Sequence, residues 1–226
     1  MATVTTPERE AGTETDQCII LDRVDWPDYE AMLRMRGERS SPRIVYLDGR
    51  LSLVSPSYRH ESLKIHLEYF VAAALSGLGI EFEPAGSTTY RREQKKGGAE
   101  GDTSYYIAHR DVVLEKETID LSVDPPPDLV VEVVVSHDAE DSIEVYRRFG
   151  VPEVWIFTRR ELLVLILQPD GSYARGDVSI AIPGITAAEV HSWIIRRKGR
   201  DIIAWMDDIR RWSAEVVAPR SRGGAT

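Results

Sequence analysis

Asp128-Leu129-Val130-Val131-Glu132-Val133-Val134-Val135 is the stretch whose reading decides the fold. Its apolar, β-branched residues run without polar alternation, which predicts a central strand covered on both faces. Glu132 breaks that run. It is a carboxylate set among valines, where an unpaired buried charge costs several kcal/mol. A strand places Asp128, Val130 and Glu132 on one face, so a second acid lies near one end of the same row. Glu132 therefore needs a compensating partner: a metal ion, an arginine or lysine, or a proton.

Working outward, Asp102 starts a strand just after a glycine-rich loop, in Glu100-Gly101-Asp102, where a neighbouring strand could bring it beside Glu132. Two carboxylates held together repel, and a divalent cation relieves the repulsion. Hard oxygen donors with open water positions favour Mg2+ or Mn2+. Such an ion activates water and stabilises charge on a phosphoryl group, as in phosphodiester hydrolysis. The same two acids also fit a structural cluster satisfied by Arg91 or Arg92, and that alternative stays open.

The surrounding elements follow from local signals. Asp25-Trp26-Pro27 opens a short helix through Arg36, with Asp as cap and Pro in the first turn. Arg43 to Leu47 and Arg50 to Val54 flank Asp48-Gly49, a strong hairpin signal. From Tyr58 to Leu78, Leu63, Leu67, Phe70, Val71, Ala74, Leu75 and Leu78 recur at helical spacing, and Gly77 and Gly79 are expected to end the helix. Residues 80–91 and 102–108 read as strands, separated by the polar, basic loop 92–98, whose paired glycines permit a mobile turn. A helix over 139–149 ending at Gly150, strands over 153–158 and 161–168, and one helix from Thr186 to Trp212 complete the order. This is an α/β (α+β) pattern: a mixed β-sheet flanked by helices, in a single domain.

The 226 residues, 42% hydrophobic and 29% charged, are enough for one sizeable core. The expected organisation is a disordered polar tail over 1–17, a domain over 18–195, and a basic helical extension and tail over 196–226. No apolar run reaches the roughly 18 residues of a membrane span, and the N-terminus lacks a signal pattern, so the expectation is a cytoplasmic protein without a membrane partner. Cys18 is the single cysteine, too few for an internal disulfide or a zinc cluster, and reads as a small apolar residue opening the run to Leu21. A net charge of -9 opposes non-specific attraction to a polyanion. Residues 191–226 nevertheless carry a net +4, read here as a solvated helix end.

One set of motifs is specific by its order. Asp48-Gly49-Arg50-Leu51 to Ser55-Pro56-Ser57, His60-Glu61, Gly86-Ser87-Thr88-Thr89, Glu100-Gly101-Asp102, Asp124-Pro125-Pro126-Pro127-Asp128 through Val133, and Gly150-Val151-Pro152-Glu153-Val154-Trp155 resemble the Uma2 family. That family is similar to the PD-(D/E)xK nuclease superfamily. The resemblance implies a restriction-endonuclease-like fold, DNA as substrate, and Asp102 and Glu132 as Mg2+ or Mn2+ ligands, with the carbonyl of Val133 as a third. Glu61, early in the long helix, sits where the superfamily often adds another acid; His60 beside it reads either as a residue packing near the helix start or as one lining the site, so Glu61 or His60 is expected to assist. A homodimer is implied by analogy with nucleases that cut two strands with two subunits.

The sequence departs from the family in two places. Gly101 replaces a proline, which leaves the acids in place. Ser142 stands four residues before Tyr146, where the family places its active-site lysine. A serine has neither the charge to stabilise a phosphorane-like transition state nor the reach to orient water. Lys64, one helical turn after His60, and Lys95 and Lys96 on the loop are candidate substitutes. Two readings follow: a metal-dependent endonuclease in which Asp102, Glu132, Glu61, His60 and Lys64 carry the chemistry, or an inactive pseudo-nuclease acting as a nucleic-acid- or protein-binding module. His60-Glu61-Ser62-Leu63-Lys64 fails the zinc-protease pattern at its fifth place. Ser136-His137-Asp138 holds the residue types of a hydrolase triad, but consecutive residues do not converge on one point.

Overall fold

In the computed structural model, which describes residues 15–136 and 139–223, the chain begins with β1 (Gln17–Asp22), α1 (Trp26–Arg36), β2 (Arg43–Leu47), β3 (Arg50–Ser55) and α2 (Tyr58–Leu78). Next come β4 (Glu83–Pro84), β5 (Thr89–Arg92), a 3-10 turn (Glu93–Lys95), β6 (Gly97–Glu100), β7 (Thr103–Tyr106) and the one-turn α3 (Arg110–Val113). Then follow β8 (Leu129–Val133), α4 (Glu140–Phe149), β9 (Glu153–Phe157), β10 (Leu162–Leu167) and β11 (Tyr173–Gly176). The described chain closes with α5 (Ala187–Ile195), α6 (Ile202–Trp212), a π turn (Ser213–Val217) and α7 (Ala218–Gly223). Among the described residues no helix is long and apolar enough to cross a membrane.

Local chemistry sets most boundaries as expected. The Asp25 carboxylate accepts the Asp28 N–H at 2.9 Å and caps α1. Ser57 does the same for α2, accepting the His60 N–H at 3.3 Å, and Gly79 closes that helix at φ +67°. Asp48 and Gly49 both adopt positive φ, 49° and 93°, the twist-matched geometry of a two-residue hairpin.

Two sheets result, in the orders β1-β3-β2-β6-β5 and β11-β10-β9-β8-β7-β4. The second is mixed: β8 runs parallel to β9, while its other pairs are antiparallel. The expected mixed sheet flanked by helices is therefore present, accompanied by a second sheet. β8 is buried along its length, and alternation divides its contacts. Leu129, Val131 and Val133 pack with Leu67, Phe70, Val71 and Ala74 of α2 and with Trp205 and Ile209 of α6. Val130 instead joins Val145, Tyr146 and Phe149 of α4, so Glu132, on the same face, points toward α4.

Five segments differ from expectation. The strand read over 80–91 is two short ones, β4 and β5, which join different sheets. The polar loop 92–98 is shorter than it reads, because Gly97 and Gly98 lie in β6, buried, and not in a mobile turn. A Cβ at Gly98 would collide with the Tyr29 ring, which packs directly on the strand backbone. The segment from Thr186 to Trp212 is two helices, broken across residues 196–201. Gly77 does not end α2; its missing side chain lets the Arg210 carbonyl of α6 approach. The stretch expected as a polar tail over 1–17 is ordered at its end, where Asp16 is buried and Gln17 opens β1. Residues 1–14 lie outside the described residues, as do His137 and Asp138 of the rejected triad.

Candidate active site

The site forms where β7 and β8 meet. Thr103 pairs with Val131 across the two antiparallel strands, so one step further the register sets Asp102 opposite Glu132. Asp102 is fully buried, and its orientation is fixed by the backbone, since its Oδ2 accepts the Val133 N–H at 2.5 Å. Its Oδ1 lies against the Nη1 of Arg43 and 2.7 Å from Nε2 of His60.

Arg43 is the residue that sequence reasoning missed. It opens β2 at 6% exposure, with Nη1 also 2.9 Å from His60 Nε2 and Nη2 donating to Glu61 Oε1 at 2.6 Å. The charge that answers Asp102 is thus Arg43, and not Arg91 or Arg92. Arg91 pairs instead with Glu30, at 3.5 Å. A signal existed: an arginine followed by Ile44-Val45-Tyr46-Leu47 is the same anomaly as Glu132 among valines. Asp16 was missed as well. Its carboxylate accepts the Ser57 N–H at 2.8 Å and lies 3.1 Å from His60 Nδ1, so it anchors the histidine from behind.

Glu132, at 8% exposure, takes a hydrogen bond from the Tyr146 hydroxyl at 2.5 Å. Burial pushes its carboxyl up to about 7, against the opposing pull of Tyr146, Arg43 and Ser142. Burial and the carboxylate next to it push the Tyr146 hydroxyl up, keeping it a donor. Ser142 is buried in the first turns of α4 and faces Glu132, so the position at which the resemblance leads one to expect a lysine looks onto the acid pair. His60 is pushed down, by burial first and then by the Arg43 charge, against the upward pull of Asp16. A neutral imidazole has one N–H, so it serves Asp16 or Asp102 but not both.

The remaining candidates lie further out. Glu61 is half-exposed and reaches the cluster through Arg43. Lys64 lies 3.9 Å from both Glu61 and Glu68, in i,i+3 and i,i+4 pairs along α2, and has no ion pair to Asp102 or Glu132. Lys95 and Lys96 sit at the β5–β6 turn, where their carbonyls take Arg148 and the Asp48 N–H. Asp128, expected in the same row as Glu132, serves another purpose. It accepts the Ile107 and His109 N–H groups at 2.7 and 2.9 Å and meets the His109 ring at 2.6 Å, which ties down the loop after β7. Glu100 of the Glu-Gly-Asp motif is likewise structural, accepting Arg36 at 2.6 Å and the Ile44 N–H at 3.1 Å.

The donor set can be tested against a divalent ion. Asp102 and Glu132 offer hard oxygens from adjacent strands, which suits Mg2+ or Mn2+ in kind. Asp16, Glu61, Asp102 and Glu132 face one arginine and a histidine held toward neutrality, so the cluster carries surplus negative charge. Among the described residues no three His, Cys, Asp or Glu side chains form a ready cage.

The sequence matches the family model Uma2, "Putative restriction endonuclease", over residues 26–206. A crystal structure described as a putative nuclease belonging to DUF820, from Anabaena variabilis, superposes with a TM-score of 0.50 at 12% identity, covering 71% of this chain and 96% of that one. That likeness is one of fold. No curated protein matches the sequence.

Proposed function

The chain belongs to the Uma2 family of restriction-endonuclease type, and from that premise we propose that it is a metal-dependent endonuclease that hydrolyses DNA phosphodiester bonds at the Asp102–Glu132 pair. The observation that carries this reading is the placement of two buried carboxylates opposite each other, in a cluster with more negative than positive charge. Asp102 and Glu132 would hold Mg2+ or Mn2+, with the Val133 carbonyl as the third ligand that the family resemblance implies. A bound ion would supply Lewis acidity toward a phosphoryl oxygen and acidify water.

The chain's own residues do the positioning. The Val133 N–H and Arg43 aim Asp102, and the Tyr146 hydroxyl aims Glu132. Arg43 supplies the fixed positive charge that Ser142 does not. Its guanidinium, bonded on two sides to Asp102 and Glu61, leaves the acids closely spaced without requiring both to be protonated.

A second reading, a pseudo-nuclease acting as a binding module, is favoured by one observation. Arg43 already satisfies Asp102, and the family's lysine position holds Ser142. Cleavage of supercoiled plasmid with Mn2+ separates the two. The endonuclease reading expects nicking by the natural protein that disappears in Glu132→Ala and rises at least tenfold in Ser142→Lys. Nicking only after Ser142→Lys identifies a lapsed site on a sound scaffold, and silence from all three variants contradicts the endonuclease reading.

A further inference from the structure

A groove of about 590 Å³ adjoins the acid cluster, between the start of α2 and the C-terminal ends of β8 and β9. It is lined by Arg59, Arg159 and Arg160 and by the apolar Leu63, Val134 and Val135. Each side leads directly to the site. Arg59 precedes His60 and Val134 follows Val133, while Thr15 at the rim precedes Asp16.

Like Arg23, Arg34, Arg39, Arg92, Arg196 and Arg197, these arginines have no carboxylate partner among the described residues; what sets them apart is that three of them line one groove. In this acidic chain, Arg36, Arg43, Arg50, Arg147, Arg148 and Arg175 are each paired with a carboxylate. Arg59, Arg159 and Arg160 are exposed, and among the described residues none makes an ion pair. The acid in the groove, Glu161, is engaged by Arg175 at 2.7 Å. Three unneutralised guanidiniums around one concave surface, Arg59 from α2 and Arg159 and Arg160 from the β9–β10 turn, together with the apolar Leu63, Val134 and Val135, form a local positive field on a protein of net charge -9.

We propose that this groove binds a nucleic-acid strand, with its phosphates against Arg59, Arg159 and Arg160 and a sugar or unpaired base on Leu63, Val134 and Val135. Guanidinium groups match phosphate geometry with paired donors, and an apolar lining suits the face of an unstacked nucleotide. The strand entering here would run toward Asp102 and Glu132. The inference deepens the endonuclease reading and rests on it for the direction of that path, although binding itself requires no metal.

The experiment is fluorescence anisotropy of a labelled twelve-nucleotide single-stranded DNA with the full chain, in EDTA, over a salt series. The natural protein should bind, and R59A/R159A/R160A should weaken binding more than tenfold. The triple variant should also flatten the slope of log K against log salt by about 2, at roughly 0.7 for each phosphate no longer neutralised. Thermal unfolding of the same variant should be unchanged, since all three side chains are exposed. The proposal is overturned if the natural protein does not bind, if the variant keeps its affinity and slope, or if polyglutamate displaces the protein as well as DNA does, which would indicate an acidic-peptide site. Because no cleavage occurs in EDTA, the two ideas fail separately. Binding without Mn2+-dependent cleavage sinks the endonuclease reading alone, and cleavage with an unchanged salt slope in the variant sinks the groove alone.

Discussion

Glu132 shows how a single residue can be read from its neighbours. A carboxylate among valines announces a buried charge, and that much is legible in the sequence. Its surroundings are not: the Tyr146 hydroxyl that bonds it and the Arg43 that holds neighbouring Asp102 come from other elements, and although Arg43 heads an apolar run, nothing local says which acid it meets. The carboxyl's elevation from its usual 4.5 to about 7 has a consequence for stability. Between those values the folded protein holds a proton that the unfolded chain has released, so this group's contribution to stability is fully present below about 4.5 and is lost as pH rises through about 7. Urea unfolding at pH 5 and pH 8 should show this loss for the natural protein and a much smaller one for Glu132→Gln, while parallel losses in both would contradict it. Arg43→Ala should cost about 3–5 kcal/mol at pH 7, because it leaves buried Asp102 without its cation. If denaturant melts find the variant within 1 kcal/mol of the natural protein, roughly the worth of an exposed pair, the ion pair is not buried in solution.

Element by element, α1, α2 and the hairpin were legible because their caps and turns are written locally, as Asp25, Ser57 and Asp48-Gly49 show, whereas the break between α5 and α6 was not. Nor were the glycines at 97 and 98. A Gly-Gly pair in a basic segment reads as a turn, and only the Tyr29 ring, brought by α1, explains why β6 needs a residue without a side chain there. Gly77 makes the same point in a form that can be measured. In an exposed helix, glycine to alanine stabilises by roughly 1 kcal/mol. Here a Cβ would run into the Arg210 backbone of α6, so Gly77→Ala should instead destabilise by about 1–3 kcal/mol. Chemical denaturation gives the sign directly, and a stabilised variant would mean that α2 and α6 are not in close contact.

For the molecule as a whole, composition identified a chain able to build one large core, and periodicity identified mixed strands flanked by helices. The division into two sheets escaped because β5, β6 and β7 are four residues each, too short for alternation to register. Charge has to be read locally as well as in total: -9 speaks against non-specific attraction to a polyanion, and the proposed strand groove is the place where Arg59, Arg159 and Arg160 gather. The site is likewise assembled across the whole chain: Asp16 from the first described residues, Arg43 and His60 from the first third, Asp102, Glu132 and Tyr146 from the middle. Whether that assembly takes a divalent ion is tested most directly by titrating the natural protein, Asp102→Asn and Glu132→Gln with Mn2+ and following the free ion by electron paramagnetic resonance. One Mn2+ taken up per chain by the natural protein, and lost in both variants, is the predicted result; no uptake by the natural protein, or equal uptake by all three, would contradict the account.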